Sequence, residues 1–265
     1  MSENAAHQTP TPTAAADVRA TFDRLAPVYD TVIPFFATFG RALVETAGIG
    51  PGDAVLDIAS GRGACTFPAV EAVGPTGRVH SRDLSAGMVD ALRADLDAAG
   101  LADVDLAVGD ATDLDLDDAS VDAVVGGFMI FFLPAPVVAL QEFHRVLRPG
   151  GRVALSVFDG PVLLPWLPQP DQTSRVAVAI ADAMGATGFT DTTVVGLQRS
   201  FTFPDVDTVL AWMRVSMYRG MVVGLDAAGL DRLRADVTER LAPMRSDAGY
   251  ELEQRVAVIR GTRAA

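Results

Sequence analysis

A glycine turn and two strand-end carboxylates carry the chemistry legible in this chain. Residues 55–63 read VLDIASGRG. Ala54 to Ile58 is apolar except for Asp57, and Val and Ile favour an extended, buried strand. Ala59, Ser60, Gly61, Arg62 and Gly63 follow, small or flexible residues that let a backbone turn sharply and come close to a ligand. Asp83 ends the next expected strand, Gly77-Arg78-Val79-His80-Ser81-Arg82-Asp83, 20 residues beyond Gly63, the separation found in nucleoside-binding βαβ units. Asp110 and Ala111 follow Gly109 at the end of a third run. Open α/β sheets bind ligands at the carboxyl ends of their strands, where these residues fall.

The elements that must position them alternate. Strands are expected over 54–58, 77–83, 104–108, 121–125 and 152–158. Helices are expected over 67–73 (broken early by Pro68), from a Ser85 cap to about 99, and over 137–147. This βα rhythm implies a mainly parallel sheet. Before it come a tail over 1–16 read as disordered, a helix over 17–26 and an aromatic helix carrying Phe35, Phe36, Phe39 and Leu43, so 17–53 is expected to cover the site. Beyond Asp159 lie a proline loop with Trp166, a helix over 175–184 and a strand over 192–203. Two helical patterns without a strand between them occupy 204–243, and a last strand is expected over 252–259. The core is therefore expected at 54–203 and 249–263, with 204–248 a helical cap. The acidic stretch 113–118 reads as a solvated loop or a short helix.

Composition excludes several classes. Net charge is −13 and all 21 basic residues are Arg, which removes lysine Schiff-base and P-loop chemistry. An acidic chain without a basic stripe is a poor partner for nucleic acid or an anionic membrane. No signal peptide and no run long enough to span a membrane is visible. The single Cys65 fits a reducing compartment, so a cytoplasmic protein is expected. No metal-ligand spacing occurs, and oligomeric state, a homodimer included, is left open. The arginine-only, alanine-rich composition suggests a GC-rich bacterial genome and secondary metabolism.

Six pieces in order carry a family resemblance: FDRLAPVYD (22–30), VLDIASGRG (55–63), Asp83-Leu84-Ser85, GDATDL (109–114), SVDAVVGGF (120–128) and EFHRVLRPGGRV (142–153). Together they resemble class I S-adenosylmethionine-dependent methyltransferases, of the kind related to ubiquinone and menaquinone biosynthesis. The resemblance implies a Rossmann-like α/β fold, a seven-stranded sheet with one antiparallel strand. It implies S-adenosylmethionine as cofactor, held by Tyr29, Ala59, Ser60, Gly61, Asp83, Leu84, Met88, Asp110, Ala111, Gly126 and Phe128. Within that set, Asp83 would accept from both ribose hydroxyls and Asp110 with Ala111 would hold the adenine edge. Met88 would pack on the adenine face, and Tyr29 would close over the cofactor. The family usually has Gly where Ala59 stands, a change compatible with the turn if φ stays negative.

A nicotinamide nucleotide is the rival ligand, but Thr66 stands where a dinucleotide fingerprint needs a third Gly or Ala. On the acceptor side, Phe35, Phe131, Phe132, Trp166, Trp212 and Tyr218 are expected to line a pocket for a hydrophobic small molecule. Relatives carry His after the fourth strand, where this chain has Ile130-Phe131-Phe132-Leu133. His80 and His144 read as packed rather than catalytic, which leaves Asp159 and Tyr218 as candidate catalytic groups. The alternative function is a chain that keeps the cofactor but catalyses a cyclisation or rearrangement, or only binds it. Asp83→Ala is expected to weaken cofactor binding by about tenfold or more, the loss of charged hydrogen bonds. Unchanged affinity in calorimetry contradicts the ribose assignment.

Overall fold

Val55, Leu56 and Ile58 are sealed from solvent, and the strand they build, β1 (Ala54–Ile58), is central in the sheet. The structure is a computed structural model and describes residues 15–160, 162–164, 173–216 and 218–265. Two helices precede the sheet, α1 (Ala15–Leu25) and α2 (Phe35–Thr46). After β1 come α3 (Thr66–Val73), β2 (Arg78–Asp83), α4 (Ala86–Ala98), β3 (Asp105–Val108), β4 (Val121–Gly127), α5 (Pro136–Val146) and β5 (Leu147–Phe158). Then follow α6 (Thr173–Ala186), β6 (Phe189–Phe203), α7 (Val206–Val215), α8 (Ala227–Leu241), β7 (Arg245–Ser246) and β8 (Gly249–Arg263).

The strand order is β3-β2-β1-β4-β5-β8-β6, with short β7 pairing β8 off this path. The β1–β2, β1–β4, β2–β3 and β4–β5 pairs are parallel. β8 runs antiparallel to both β5 and β6. The expected α/β sheet with one reversed strand among seven is present, and β7 adds a small eighth.

The apolar packing falls into clusters, a small one of which joins Val89, Leu92 and Leu96 of α4 to Leu106 of β3. One face of the sheet packs on α5 and α6 through Phe143, Leu140 and Met184. The other packs on α2 and α3 through Leu43, Val44 and Val73. A third cluster gathers Phe35, Phe39, Phe201 and Phe203 with Trp212, Tyr218 and Leu241 from α7, α8 and the segment between them. α2 lies tight against the chain after β1: a Cβ on Gly40 would stand 2.1 Å from the Ala64 carbonyl oxygen. No helix among the described residues is long and apolar enough to cross a membrane.

Several boundaries differ from expectation for physical reasons. Pro68 does not break α3; it sits in the first turn, where its missing N–H costs no bond. β6 and β8 are longer than their apolar cores suggested, because their polar ends pair with each other from Phe189–Arg263 to Phe203–Tyr250. β5 begins at Leu147 rather than Arg152, since Leu147 pairs Val121 ahead of a register shift. Tyr218 lies beyond the end of α7 at Val215 rather than on the helix. The tail residues 1–14 and Trp166 lie outside the described residues.

The acidic stretch after β3 is a loop tied to α5. Arg145 donates to the carbonyls of Leu114 (3.0 Å) and Leu116 (2.7 Å) and to Asp118. Its neighbour Glu142 accepts from Arg145 and from the Leu114 backbone N–H (2.9 Å). Arg82, almost wholly buried, grips the same loop through Asp115 (2.8 Å). The EFHR piece thus holds in place the loop that follows Asp110. Arg145→Ala is expected to leave the part-buried carbonyls of Leu114 and Leu116 without this donor and cost about 1–2 kcal/mol, with faster amide exchange over 109–118. Unchanged exchange there contradicts the tie.

Candidate functional site

The turn after β1 is built on two left-handed residues. Gly61 has φ 52°, which glycine adopts freely. Ala59 has φ 54°, so the expectation of a negative φ there is corrected. A side chain in this region costs roughly 1–2 kcal/mol, and the strain persists because the surrounding bonds fix the turn. The Ser60 N–H donates to the Arg82 carbonyl (3.1 Å), and the Gly63 N–H to the Ser60 carbonyl (2.8 Å).

Asp83 ties this turn to the next strand end. One carboxylate oxygen accepts from the Gly61 N–H and the other from the Ser85 N–H, both at 2.8 Å. Each oxygen keeps a further lone pair, so the group can accept from two adjacent hydroxyls without losing a protein bond. Burial raises the Asp83 pKa, and the two backbone donors oppose that. Leu84 is half-buried beside it. Ser85 caps α4 by accepting from the Met88 N–H (3.1 Å), and Met88 is buried beneath. Asp110 accepts from the Thr112 N–H (2.8 Å) and hydroxyl (2.7 Å) through one oxygen, and Ala111 is buried against the core.

Beyond β4 the chain turns again on a strained residue. Phe128 has φ 54°, and its N–H donates to the Ser156 carbonyl (3.0 Å) and hydroxyl (3.2 Å). Gly126 packs inward, where a Cβ would meet Leu155, Met129 and Ile58. The Phe128 ring lies 4.6 Å from Phe158 and 5.4 Å from Phe36. Phe131 and Phe132 are more than two-fifths exposed. Phe131 stands 5.9 Å from Phe158, and Phe132 stands 5.5 Å edge-on to Phe22 of α1.

α1 and the segment after it cover these tips. Phe22 packs edge-on against Tyr29 (6.1 Å), and Tyr29 stacks on Phe36 (4.8 Å). Asp23 accepts from the Ser85 hydroxyl (2.5 Å) and the Gly87 N–H (3.0 Å). Asp30 caps α2 by accepting from the Phe36 and Ala37 N–H groups. A Cβ on Gly61 would lie 3.7 Å from Tyr29 Cε1, so Tyr29 leans over the turn. Enclosure, then the charges of Asp30 and Asp83, push its phenol pKa upward.

The expected acceptor residues divide. Phe131 and Phe132 stay at the strand tips. Phe35 is buried among Phe36, Phe39, Phe128 and Phe201. Trp212 and Tyr218 are buried in the cluster with Phe203, and the Tyr218 hydroxyl donates to the Val162 carbonyl (2.7 Å). This is a core position rather than a pocket wall. Asp159 follows β5, its N–H donating to the Arg255 carbonyl. His80 pairs Asp105 (2.7 Å) in the pairing of β2 with β3, and His144 packs on Phe189. Sequence reasoning did not single out Phe22, Asp23, Asp30, Phe36 or Phe158 as site residues. The FDRLAPVYD piece was the signal for the first three.

An adenosyl group fits these residues. The Ser60 hydroxyl is buried with no partner among the described residues, an unmet cost that a bound polar ligand can relieve. Asp83 has acceptor capacity to spare. A cavity of about 650 Å³ adjoins the turn, lined by Tyr29, Asp30, Phe36, Arg62 and Gly63, and lies to the side of Asp83 and Asp110.

Asp57 lies 1% exposed beneath the turn, accepting from the Thr66 hydroxyl (2.6 Å). Burial first, and then the Asp83 charge, raise its pKa to about 7. Between about pH 4 and 7 the folded state therefore keeps a proton that the unfolded state has released. This group's contribution to stability is lost as pH rises through that window. Asp57→Asn is expected to flatten the fall in melting temperature between pH 5 and 7.5 relative to wild type. Equal slopes contradict the assignment.

Residues 55–151 match the family model described as a methyltransferase domain. The aklanonic acid methyltransferase of Streptomyces sp. (strain C5) is 38% identical over 170 residues, 62% of this chain and 76% of that protein. The nocamycin O-methyltransferase of Saccharothrix syringae is 37% identical over 172 residues, 63% of this chain and 60% of that one. Among solved structures, the [4+2]-cyclase SpnF superposes with a TM-score of 0.62 at 15% identity, covering 98% of this chain and all of that one. That likeness is one of fold. The residue pieces, the sheet and these relatives agree, and the chain belongs to the S-adenosylmethionine-dependent methyltransferases.

Proposed function

We propose that this enzyme methylates an oxygen of a flat, apolar small molecule in bacterial secondary metabolism. The observation that carries this reading is the group of rings at the strand tips. Phe131 and Phe132 keep over two-fifths of their surface in water beside Phe128, Phe158 and Phe22. A planar acceptor laid on them removes that surface from water and gains ring-to-ring contact. The acid and O-methyl names of the two relatives support an oxygen acceptor.

The geometry supports the following roles. Asp83 receives the ribose hydroxyls while keeping Gly61 and Ser85 in place. Asp110 and Ala111 hold the adenine edge, with Leu84 and Met88 flanking it. The backbone of Ala59, Ser60, Gly61 and Gly126 takes the methionyl part, and Tyr29 with Phe22 closes above. The cofactor supplies an electrophilic methyl on a sulfonium centre. The residues around Phe128 align the acceptor with it and exclude water, and orientation of this kind contributes roughly 7–11 kcal/mol. Neither described histidine is at the strand tips, so the reading favours an acceptor acidic enough to ionise unaided, such as a carboxylic acid or an acidic phenol.

The test is incubation with S-adenosylmethionine and a series of planar phenolic and carboxylic acceptors, read by mass. A gain of one methyl supports transfer. Rearrangement without mass gain overturns it in favour of a cyclase. Phe132→Ala and Phe158→Ala are expected to raise acceptor KM by about three- to tenfold each without changing cofactor affinity. Trp212→Ala should act through stability, with KM unchanged. Unaltered KM in both phenylalanine variants contradicts the pocket.

A further inference from the structure

Val162, Leu163 and Leu164, in the connection between β5 and α6, are sealed from solvent. Connecting segments ordinarily run over the surface, because a buried one must find partners for its backbone groups. This one finds them on two other segments. The Leu163 N–H donates to Gln254 Oε1 (2.9 Å), and the Val162 carbonyl accepts from the Tyr218 hydroxyl (2.7 Å). Gln254 is itself wholly buried in β8, its Nε2 donating to the Arg255 carbonyl (2.6 Å). The Leu164 N–H closes back on the Val162 carbonyl, and Leu163 at the centre has φ 53°. A left-handed turn of this size is strained for a leucine.

The topology puts the turn at the ligand edge of the sheet. β5 ends at Phe158, opposite Val256, and the Asp159 N–H makes one more bond to β8, at the Arg255 carbonyl. From Gln254 back to Glu251, β8 keeps β6 on one side and has no strand on the other among the described residues. Gln254 belongs to this stretch, two residues along β8 from the partner of Phe158. The turn it holds therefore sits just past the tip of β5. Leu163 shares one cluster with Phe128, Trp212 and Tyr218, and Phe158 packs against that cluster. The turn thus stands between the rings at the strand tips and the segment that carries Trp212 and Tyr218.

We propose that the Leu163 turn is the end wall of the acceptor site and sets the length of acceptor that the rings can take. The inference rests on the planar-acceptor reading and goes beyond it in naming a residue that selects among such acceptors. A flat molecule laid on Phe131, Phe132 and Phe158 extends along them until it meets this turn. Glycine holds φ 53° without strain, so what the leucine adds here is the bulk of its side chain. A fused aromatic ring adds as many carbons as a leucine side chain holds. Removing that side chain therefore makes room for about one more ring.

The experiment measures two probes by calorimetry with S-adenosylhomocysteine present, 2-naphthoic acid and anthracene-2-carboxylic acid, which differ by one fused ring. Wild type, Leu163→Gly, Leu163→Ala and Leu241→Ala are compared, with melting curves and S-adenosylhomocysteine affinity to establish folding. Leu241 is a buried residue of α8 in the same cluster, and its truncation controls for loosened packing. Leu163→Gly is expected to raise the affinity of the larger probe relative to the smaller by about tenfold, the worth of burying the added ring. Leu163→Ala should move the ratio the same way by a smaller factor. Leu241→Ala should lower the melting temperature and leave the ratio unchanged. A ratio unaltered in both Leu163 variants overturns the proposal, as does an equal shift in Leu241→Ala. A wild type that binds S-adenosylhomocysteine but neither probe overturns the planar-acceptor reading itself and this inference with it.

Discussion

One carboxylate holds the ligand edge of this molecule together. Asp83 ends β2 and receives the backbone N–H of Gly61 on one oxygen and that of Ser85 on the other. It therefore joins the turn after β1 to the start of α4, two segments 22 residues apart for the first of these bonds. Fixing Ser85 fixes the cap of α4. It also fixes the hydroxyl that donates to Asp23, which anchors α1 over the strand tips. The same group that organises the protein keeps two lone pairs for a ligand, so folding and binding share one residue.

That arrangement stores unfavourable energy near the chemistry. Ala59 and Phe128 both occupy left-handed backbone, Asp57 and Asp83 are buried acids, and the Ser60 hydroxyl has no partner among the described residues. Each is a cost that the free protein carries through the packing of the central sheet. Strain and buried charge of this kind gather where a bound group relieves them.

Much of this was legible in the sequence, for identifiable reasons. The sheet could be read because Val55–Ile58, Val121–Val125 and Val153–Val157 are short apolar runs stopped by turn residues. The cofactor edge could be read because its parts are local: a strand, a glycine turn and a carboxylate at fixed separation. The acceptor side was less legible because it is assembled from distant segments. Phe22, Phe36 and Phe158 meet only once α1 and α2 fold back across the strand tips, and no periodicity encodes that. Trp212 and Tyr218 look like pocket residues in an amphipathic stretch. Their burial with Phe203 depends on how α7 lies against the long β6–β8 ribbon, whose polar ends hid its length. The conformation of Ala59 was misjudged from residue type, since the alanine is held left-handed by bonds from β2 rather than by its own preference.

A crystal structure with S-adenosylhomocysteine bound tests the central claim most directly. The account predicts both ribose hydroxyls within about 3 Å of the Asp83 carboxylate, with the Gly61 and Ser85 bonds retained and the sulfur facing the rings of Phe128 and Phe132. A nucleoside lodged instead in the cavity beside α2, or an Asp83 that must abandon its backbone partners to reach the ligand, would contradict it.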